Sequence, residues 1–257
     1  MIDLLYIKTD IVPDEVKRVF IIHGICEHSG RYDYFVKRLN EAQISVIRYD
    51  LRGHGKSDGK PGYIKSFHDH INDLQQVVNK HINKDVKNVL FGHSMGALIG
   101  HLYMVSNPKV DYYIASGGPT DYLKAVRVAR MIGYKWIGWL KLKNQFEGKL
   151  SRDKTIEDLY QRDSLNLKKY YIRLAGEMFI SGVKYLNKNL YKNDLPILIL
   201  HGGDDQIVPP EMSKRIYEHL QTTDKTLKLY EGAYHEILNE TNKDEVIEDI
   251  LGWLNER

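Results

Sequence analysis

The 257 residues carry 37 Lys and Arg against 34 Asp and Glu, a net charge of +3 that leaves no polycationic surface and excludes nucleic acid as a first partner. Apolar residues make up 42% of the chain and charged residues 28%, which excludes disorder and supplies a full core for one large domain with an insertion. The single cysteine, Cys26, excludes an intrachain disulfide and any cysteine-based zinc cluster.

The N-terminal run from Met1 to Lys8 has no basic segment followed by a long apolar stretch, and no later run approaches a membrane span. A cytoplasmic location is the expectation. Short, β-branched apolar runs follow at Val19–Ile22, Ile44–Tyr49, Val86–Phe91, Val110–Ala115, Ile197–Leu200 and Leu227–Tyr230, each ending near Gly, Asp or His, and predict buried strands. Helical spacing of apolar residues predicts helices near Tyr32–Asn40, Phe67–Asn83, Met95–Ser106, Glu211–Leu220 and Lys243–Asn255. Strands alternating with helices imply an α/β fold built on a doubly wound, mostly parallel sheet.

The alternation breaks between Thr120 and Asp194, where three helix-like stretches follow one another without a convincing strand. The chain therefore divides into an α/β core, residues 1–119 and 195–257, and an inserted helical cap or lid, residues 120–194. The stretch from Tyr122 to Lys143 mixes Leu123, Val126, Ile132, Trp136, Ile137, Trp139 and Leu140 with six lysines and arginines. Its aromatic stripe is expected to be cap core first, the wall of a binding pocket second and a lipid-touching surface third. The basic clusters at Lys124–Lys143 and Lys184–Lys192 read as solvated helix faces rather than as sites for anionic headgroups.

Chemistry concentrates in Val89-Leu-Phe-Gly-His-Ser-Met-Gly-Ala97, a strand run followed at once by Gly-x-Ser-x-Gly and a helix-forming segment. A nucleophile on a sharp strand-to-helix turn needs small neighbours, which Gly92 and Gly96 provide, and Ser94 is the candidate. A serine hydroxyl is a weak nucleophile at neutral pH and requires a base, itself oriented by a carboxylate. The strand run Pro196–Leu200 leads into a loop with two acids, Asp204 and Asp205, and the last strand run leads to His235. The order Ser, Asp, His fits this architecture, with either acid able to serve.

Taken together, these motifs resemble the monoacylglycerol lipase and lysophospholipase branch of the α/β-hydrolases, within the serine aminopeptidase S33-type hydrolases, over nearly the whole chain. His23-Gly-Ile-Cys-Glu-His-Ser-Gly-Arg-Tyr32 resembles the family's oxyanion loop, Asp50-Leu-Arg-Gly-His-Gly-Lys-Ser-Asp-Gly59 its glycine-rich loop, and Gly92–Gly96 its elbow. The resemblance places the acid on Asp205, counted from Gly202 to Val208, and the base on His235 of Tyr234-His235. It also implies an oxyanion hole formed by the backbone N–H groups of Ile25 and Met95. Two departures stand out: the hairpin that usually edges the sheet shrinks to the run Ile2–Ile7, and the cap aligns only at Arg162-Asp163-Ser164-Leu165.

Other candidates read as structural. His68-Asp69-His70 begins a helical run without further ligands at useful spacing, and His235-Glu236 lacks the second histidine of a zinc-protease motif. His23, His54 and His93 read as packed supports and Cys26 as inert. The expected activity is serine-dependent hydrolysis of carboxylic esters such as monoacylglycerols or lysophospholipids, through an acyl-enzyme and without metal or cofactor. The alternatives are an acyltransferase or thioesterase with the same triad, or a non-catalytic lipid-binding protein. The expected partner is a small acyl ester or lipid, with transient contact between the cap and a membrane surface, which would make a cytoplasmic protein peripheral there.

Overall fold

Alternate residues of the central strands face opposite ways, and each face meets its own layer of helices. In the computed structural model, which describes residues 4–257, seven strands form one sheet. They are β1 (Ile7–Asp10), β2 (Lys17–Ile22), β3 (Ile44–Tyr49), β4 (Lys87–His93), β5 (Tyr112–Ser116), β8 (Ile197–Gly202) and β9 (Lys225–Tyr230). Their spatial order is β1-β3-β2-β4-β5-β8-β9, and all pairings are parallel except β1 with β3.

Val19, Ile21, Val46, Val89 and Phe91 pack on one face against α1 (Asp33–Glu41) and the C-terminal α9 (Lys243–Asn255). Phe20, Ile22, Ile47 and Leu90 pack on the other against α2 (Phe67–His81), α3 (Met95–Met104) and α8 (Glu211–His219). A parallel strand covered on both faces is buried throughout, and β3 and β8 are buried at every residue. The chain steps outward from β2 to β3, then returns past β2 to β4. That reversal opens a crevice between the loops following β2 and β4, where ligands of doubly wound sheets bind.

The segment between β5 and β8, where the sequence leads one to expect a cap, contains α4 (Arg127–Ile132), α5 (Lys154–Arg162), α6 (Ile172–Gly176) and α7 (Val183–Asn189), with a π-helical segment over Glu177–Gly182 joining the last two. It also forms a small antiparallel pair, β6 (Lys141–Lys143) with β7 (Lys169–Tyr171). This departs from the strandless expectation, because three-residue runs are too short to show periodicity. The edge strand also departs from it. Part of the expected run Ile2–Ile7 lies outside the described residues, and pairing starts at Ile7 and runs through Lys-Thr-Asp to Asp10. Such a half-exposed edge needs few apolar residues.

The aromatic stripe of the cap is corrected outright. Trp136 is 83% exposed and Trp139 is 72% exposed, with Met131, Ile132 and Val128 also outside, so this face is neither cap core nor pocket wall. The stretch Tyr122–Lys143 is not one helix: α4 has no buried residue and stops at Gly133, whose φ of 91° ends it. Amphipathic spacing identified an apolar face without saying what it would face. Among the described residues, no helix is long and apolar enough to cross a membrane.

Candidate active site

Ser94 sits between the end of β4 and the first turn of α3, with φ 54° and ψ −120°. A non-glycine residue avoids this left-handed region unless its surroundings force it there. Here they do. A Cβ on Gly96 would lie 2.2 Å from the Ile22 carbonyl oxygen, and one on Gly92 would lie 2.5 Å from that of Gly96, so α3 approaches β2 and β4 as only glycine permits. The Ser94 N–H donates to the Ser116 carbonyl at 2.8 Å, pinning the turn to β5.

The structure brings the three sequence-predicted side chains together. Ser94 Oγ lies 2.9 Å from His235 Nε2, and His235 Nδ1 lies 2.6 Å from Asp205 Oδ2. All three residues are buried. Asp205 also accepts the N–H groups of Ile207 at 2.8 Å and Val208 at 2.9 Å, which fixes its carboxylate plane. Asp204 makes no such contact with the histidine; its backbone N–H binds the Ala233 carbonyl instead. Burial alone would raise the Asp205 carboxyl, but His235 and His201 outweigh it and hold it well below the usual range. Burial pulls His235 down, and Asp205, with Glu236 and Glu27 beyond, more than restores it.

His201, which the sequence does not single out, lies near the end of β8, and its position is informative. Its Nε2 faces both Asp205 Oδ2 at 3.1 Å and the Val208 carbonyl at 2.9 Å, so it carries the proton, while Nδ1 accepts from Ser213 Oγ at 2.6 Å. It is a second donor to the acid. The signal in the sequence was its spacing of four from Asp205 across a tight turn.

Ile25 lies in the loop after β2 and Met95 directly follows Ser94, and neither N–H meets an acceptor among the described residues. The loop is close to the serine, since a Cβ on Gly24 would lie 3.1 Å from that of Ser94. His23 holds this loop from beneath: Nδ1 donates to the Gly24 carbonyl at 2.7 Å, and Nε2 accepts the Leu51 N–H at 2.8 Å. Asp50 ties the glycine-rich loop to it by accepting from Ser29 N–H at 2.8 Å and Lys56 N–H at 2.7 Å. Cys26, whose buried thiol is pushed far up by desolvation and by Glu27, contributes its carbonyl to Leu167 N–H and Tyr160 of the cap. His28 reaches the cap too, 2.8 Å from Asp163.

Ser94 and Ile25 open into a narrow cavity of about 70 Å³ walled by apolar residues, among them Leu123, Val126, Leu142, Phe146, Ala175, Phe179 and Val208. Its apolar lining suits an aliphatic ligand. The His68-Asp69-His70 run does other work: Asp69 completes the capping box of α2 with Ser66, His68 stacks on Phe67 and Tyr185, and His70 is buried.

A family model described as serine aminopeptidase S33 matches residues 13–242. The chain belongs to that family. Monoglyceride lipase of Rattus norvegicus is 29% identical over 251 residues, which is 93% of this chain and 82% of that one. An abhydrolase domain-containing protein of Dictyostelium discoideum is 32% identical over 94% of this chain, which spans only 26% of that longer protein. Among solved structures, monoacylglycerol lipase of Paleococcus ferrophilus superposes with a TM-score of 0.87 at 31% identity, covering 97% of this chain and 98% of the other. This S33-family protein has the α/β-hydrolase fold and is a hydrolase of the lipase and esterase kind.

Five buried histidines of this hydrolase stay neutral for one reason, desolvation of the charged ring. Burial brings His23 and His93 to about 4 and His54 and His101 to about 3, with Asp50 opposing at His23, His23 adding at His54 and His235 adding at His93. His70 also lies well below its ordinary value, with burial first and His54 second. In the unfolded chain each titrates near 6.5, so below that pH the unfolded state binds more protons and the folded state loses stability. The loss continues down to the folded values, at up to about 1.4 kcal/mol per pH unit for each such group. Urea unfolding should therefore give a clearly lower midpoint at about pH 5.5 than at about pH 7.5, and His70→Leu should flatten that slope. Equal midpoints at the two pH values would contradict it.

Proposed function

We propose that this protein hydrolyses carboxylic esters carrying one long acyl chain, monoacylglycerols first, through a Ser94 acyl-enzyme. One observation carries the reading: the Asp205–His235–Ser94 hydrogen-bond chain ends in the wall of an apolar pocket. His235 takes the Ser94 proton as Oγ attacks the acyl carbonyl, and Asp205 stabilises the imidazolium formed. The N–H groups of Ile25 and Met95 receive the developing oxyanion; such a donor is worth roughly 100- to 1,000-fold in rate. His235 then protonates the departing alcohol and later activates the water that releases the acid. Every step is carried by side chains and backbone of this chain.

The substrate class rests on the pocket's apolar lining and on the likeness to proteins named monoglyceride lipase. Residues 120–194 act as a cap whose inner side forms that pocket and whose outer side meets a membrane surface. Between Asp121 and Glu147 the sequence has six basic residues and no acidic one, and all six, Lys124, Arg127, Arg130, Lys135, Lys141 and Lys143, are exposed in the same segment as the exposed Trp136 and Trp139. Exposed apolar and cationic side chains on one segment fit an anionic bilayer. Leu123, Val126 and Leu142 belong to this part of the cap and also line the pocket, so lipid would arrive beside its mouth.

A panel of p-nitrophenyl esters of increasing chain length, run beside a monoacylglycerol and a lysophosphatidylcholine, tests the substrate. The long-chain monoacylglycerol should be cleaved, and Ala175→Phe, which fills the pocket, should lower kcat/KM for long acyl chains about tenfold or more while sparing the acetate. Cleavage of lysophosphatidylcholine in preference to monoacylglycerol would overturn the choice of alcohol. Vesicle sedimentation tests the docking face: Trp136→Ser with Trp139→Ser should weaken binding to vesicles containing phosphatidylglycerol about tenfold or more, with acetate hydrolysis unchanged. Unaltered vesicle binding would remove the cap from membrane contact.

A further inference from the structure

Behind the oxyanion loop lies a second buried assembly of charges that the serine chemistry does not use. Glu27 and Arg31 are four residues apart on the loop and 3₁₀ turn that follow β2, and their side chains turn inward together. Glu27 Oε1 accepts from the Gly24 N–H and, at 2.9 Å, from the Tyr32 hydroxyl, while Oε2 accepts from Arg31 at 3.0 Å. The other side of the Arg31 fork grips Glu236 through both carboxylate oxygens, Nη2 to Oε2 at 2.7 Å. Glu236 also accepts from Asn239 at 2.9 Å, and its N–H donates to the Leu150 carbonyl of the cap at 2.8 Å. The Arg31 guanidinium lies 4.7 Å from the centre of the Tyr160 ring on α5.

Burying charges costs desolvation that apolar packing of the same space would avoid, so the assembly is a poor device for stability alone. Its two ends are informative. Gly24 precedes the oxyanion donor Ile25, and Glu236 follows the base His235. Two carboxylates against one guanidinium leave one net negative charge beside His93 and His235, whose rings are 4.8 Å apart.

We infer that Glu27, Arg31 and Glu236 are positioning residues of this hydrolase: the Arg31 fork ties the Ile25 loop to the His235 segment, and the surplus negative charge favours the imidazolium formed when His235 takes the Ser94 proton. The inference rests on the roles proposed for Ser94 and His235. The groups around His235 are Asp205 from the loop after β8, with His201 of β8 behind it; His93 and Ser94 from the end of β4; Glu27 from the loop after β2, with Arg31 bridging it to Glu236; and Glu236 from its own segment. From the cap, Arg152 is engaged by Glu240, which accepts the Tyr234 N–H. Burial would raise Glu236, but Arg31 outweighs it and holds the carboxyl at about 2, so the charge persists through the working range.

Two substitutions separate charge from shape. Glu236→Gln keeps the outline and loses the charge; Arg31→Lys keeps the charge and loses the fork. With p-nitrophenyl acetate and full pH profiles, Glu236→Gln should move the acid limb of kcat/KM down by roughly half to one pH unit, because His235 loses a stabilising anion. Arg31→Lys should leave that limb in place and lower kcat about tenfold with KM nearly unchanged, the mark of misplaced groups acting only in the transition state. Melting temperatures confirm that both variants are folded. An unmoved acid limb in Glu236→Gln, or wild-type kcat in Arg31→Lys, overturns the inference. Loss of fluorophosphonate labelling in Ser94→Ala checks the underlying reading separately, so the two failures are distinguishable.

Discussion

The close approach of α3 to β2, with a Cβ on Gly96 excluded by the Ile22 carbonyl, is the contact on which the rest of the site depends. It leaves Ser94 no room except in the left-handed region, a conformation that costs about 1–3 kcal/mol and is held by the buried sheet on either side. That placement lifts Oγ out of the strand and leaves the Met95 N–H at the open start of a helix. It also brings the loop after β2 alongside, since Gly24 has no side chain to keep the two apart. The reversal of strand order between β2 and β4 supplies the crevice into which all three open.

His235 and Asp205, the proposed base and acid, come from the other half of the sheet, and their positions depend on loops rather than strands. β8 and β9 run parallel, so the turns after Gly202 and Tyr230 emerge at the same end as the elbow. Asp205 and His235 meet there, and the carboxylate is held by two N–H groups and His201. The acid is thus fixed by backbone and by a neighbouring imidazole, leaving its interaction with His235 as the one directed at the serine.

Much of this was legible in the sequence because the relevant signals are local. β-branched runs mark strands buried on both faces, and glycines two before and two after Ser94 mark an elbow only they can make. Choosing Asp205 over Asp204 required the family resemblance, since adjacent acids look alike until the turn directs one inward. The cap was legible only as an interruption. Its three-residue strands have no period, its π-helical segment has no sequence rule, and the stripe at Trp136 and Trp139 gave the face but not its environment. Arg31 and Glu236, 205 residues apart, could not be paired by any local pattern.

The central claim is that Ser94 becomes acylated while His235 serves as its base. Peptide mapping by mass spectrometry after brief exposure to a fluorophosphonate tests it most directly, because the reagent reports both the attacking atom and its activation. The account predicts a single adduct on the peptide containing Ser94, absent in Ser94→Ala and formed at least about a thousandfold more slowly in His235→Gln. An adduct on another residue, or undiminished labelling of folded Ser94→Ala protein, would contradict it.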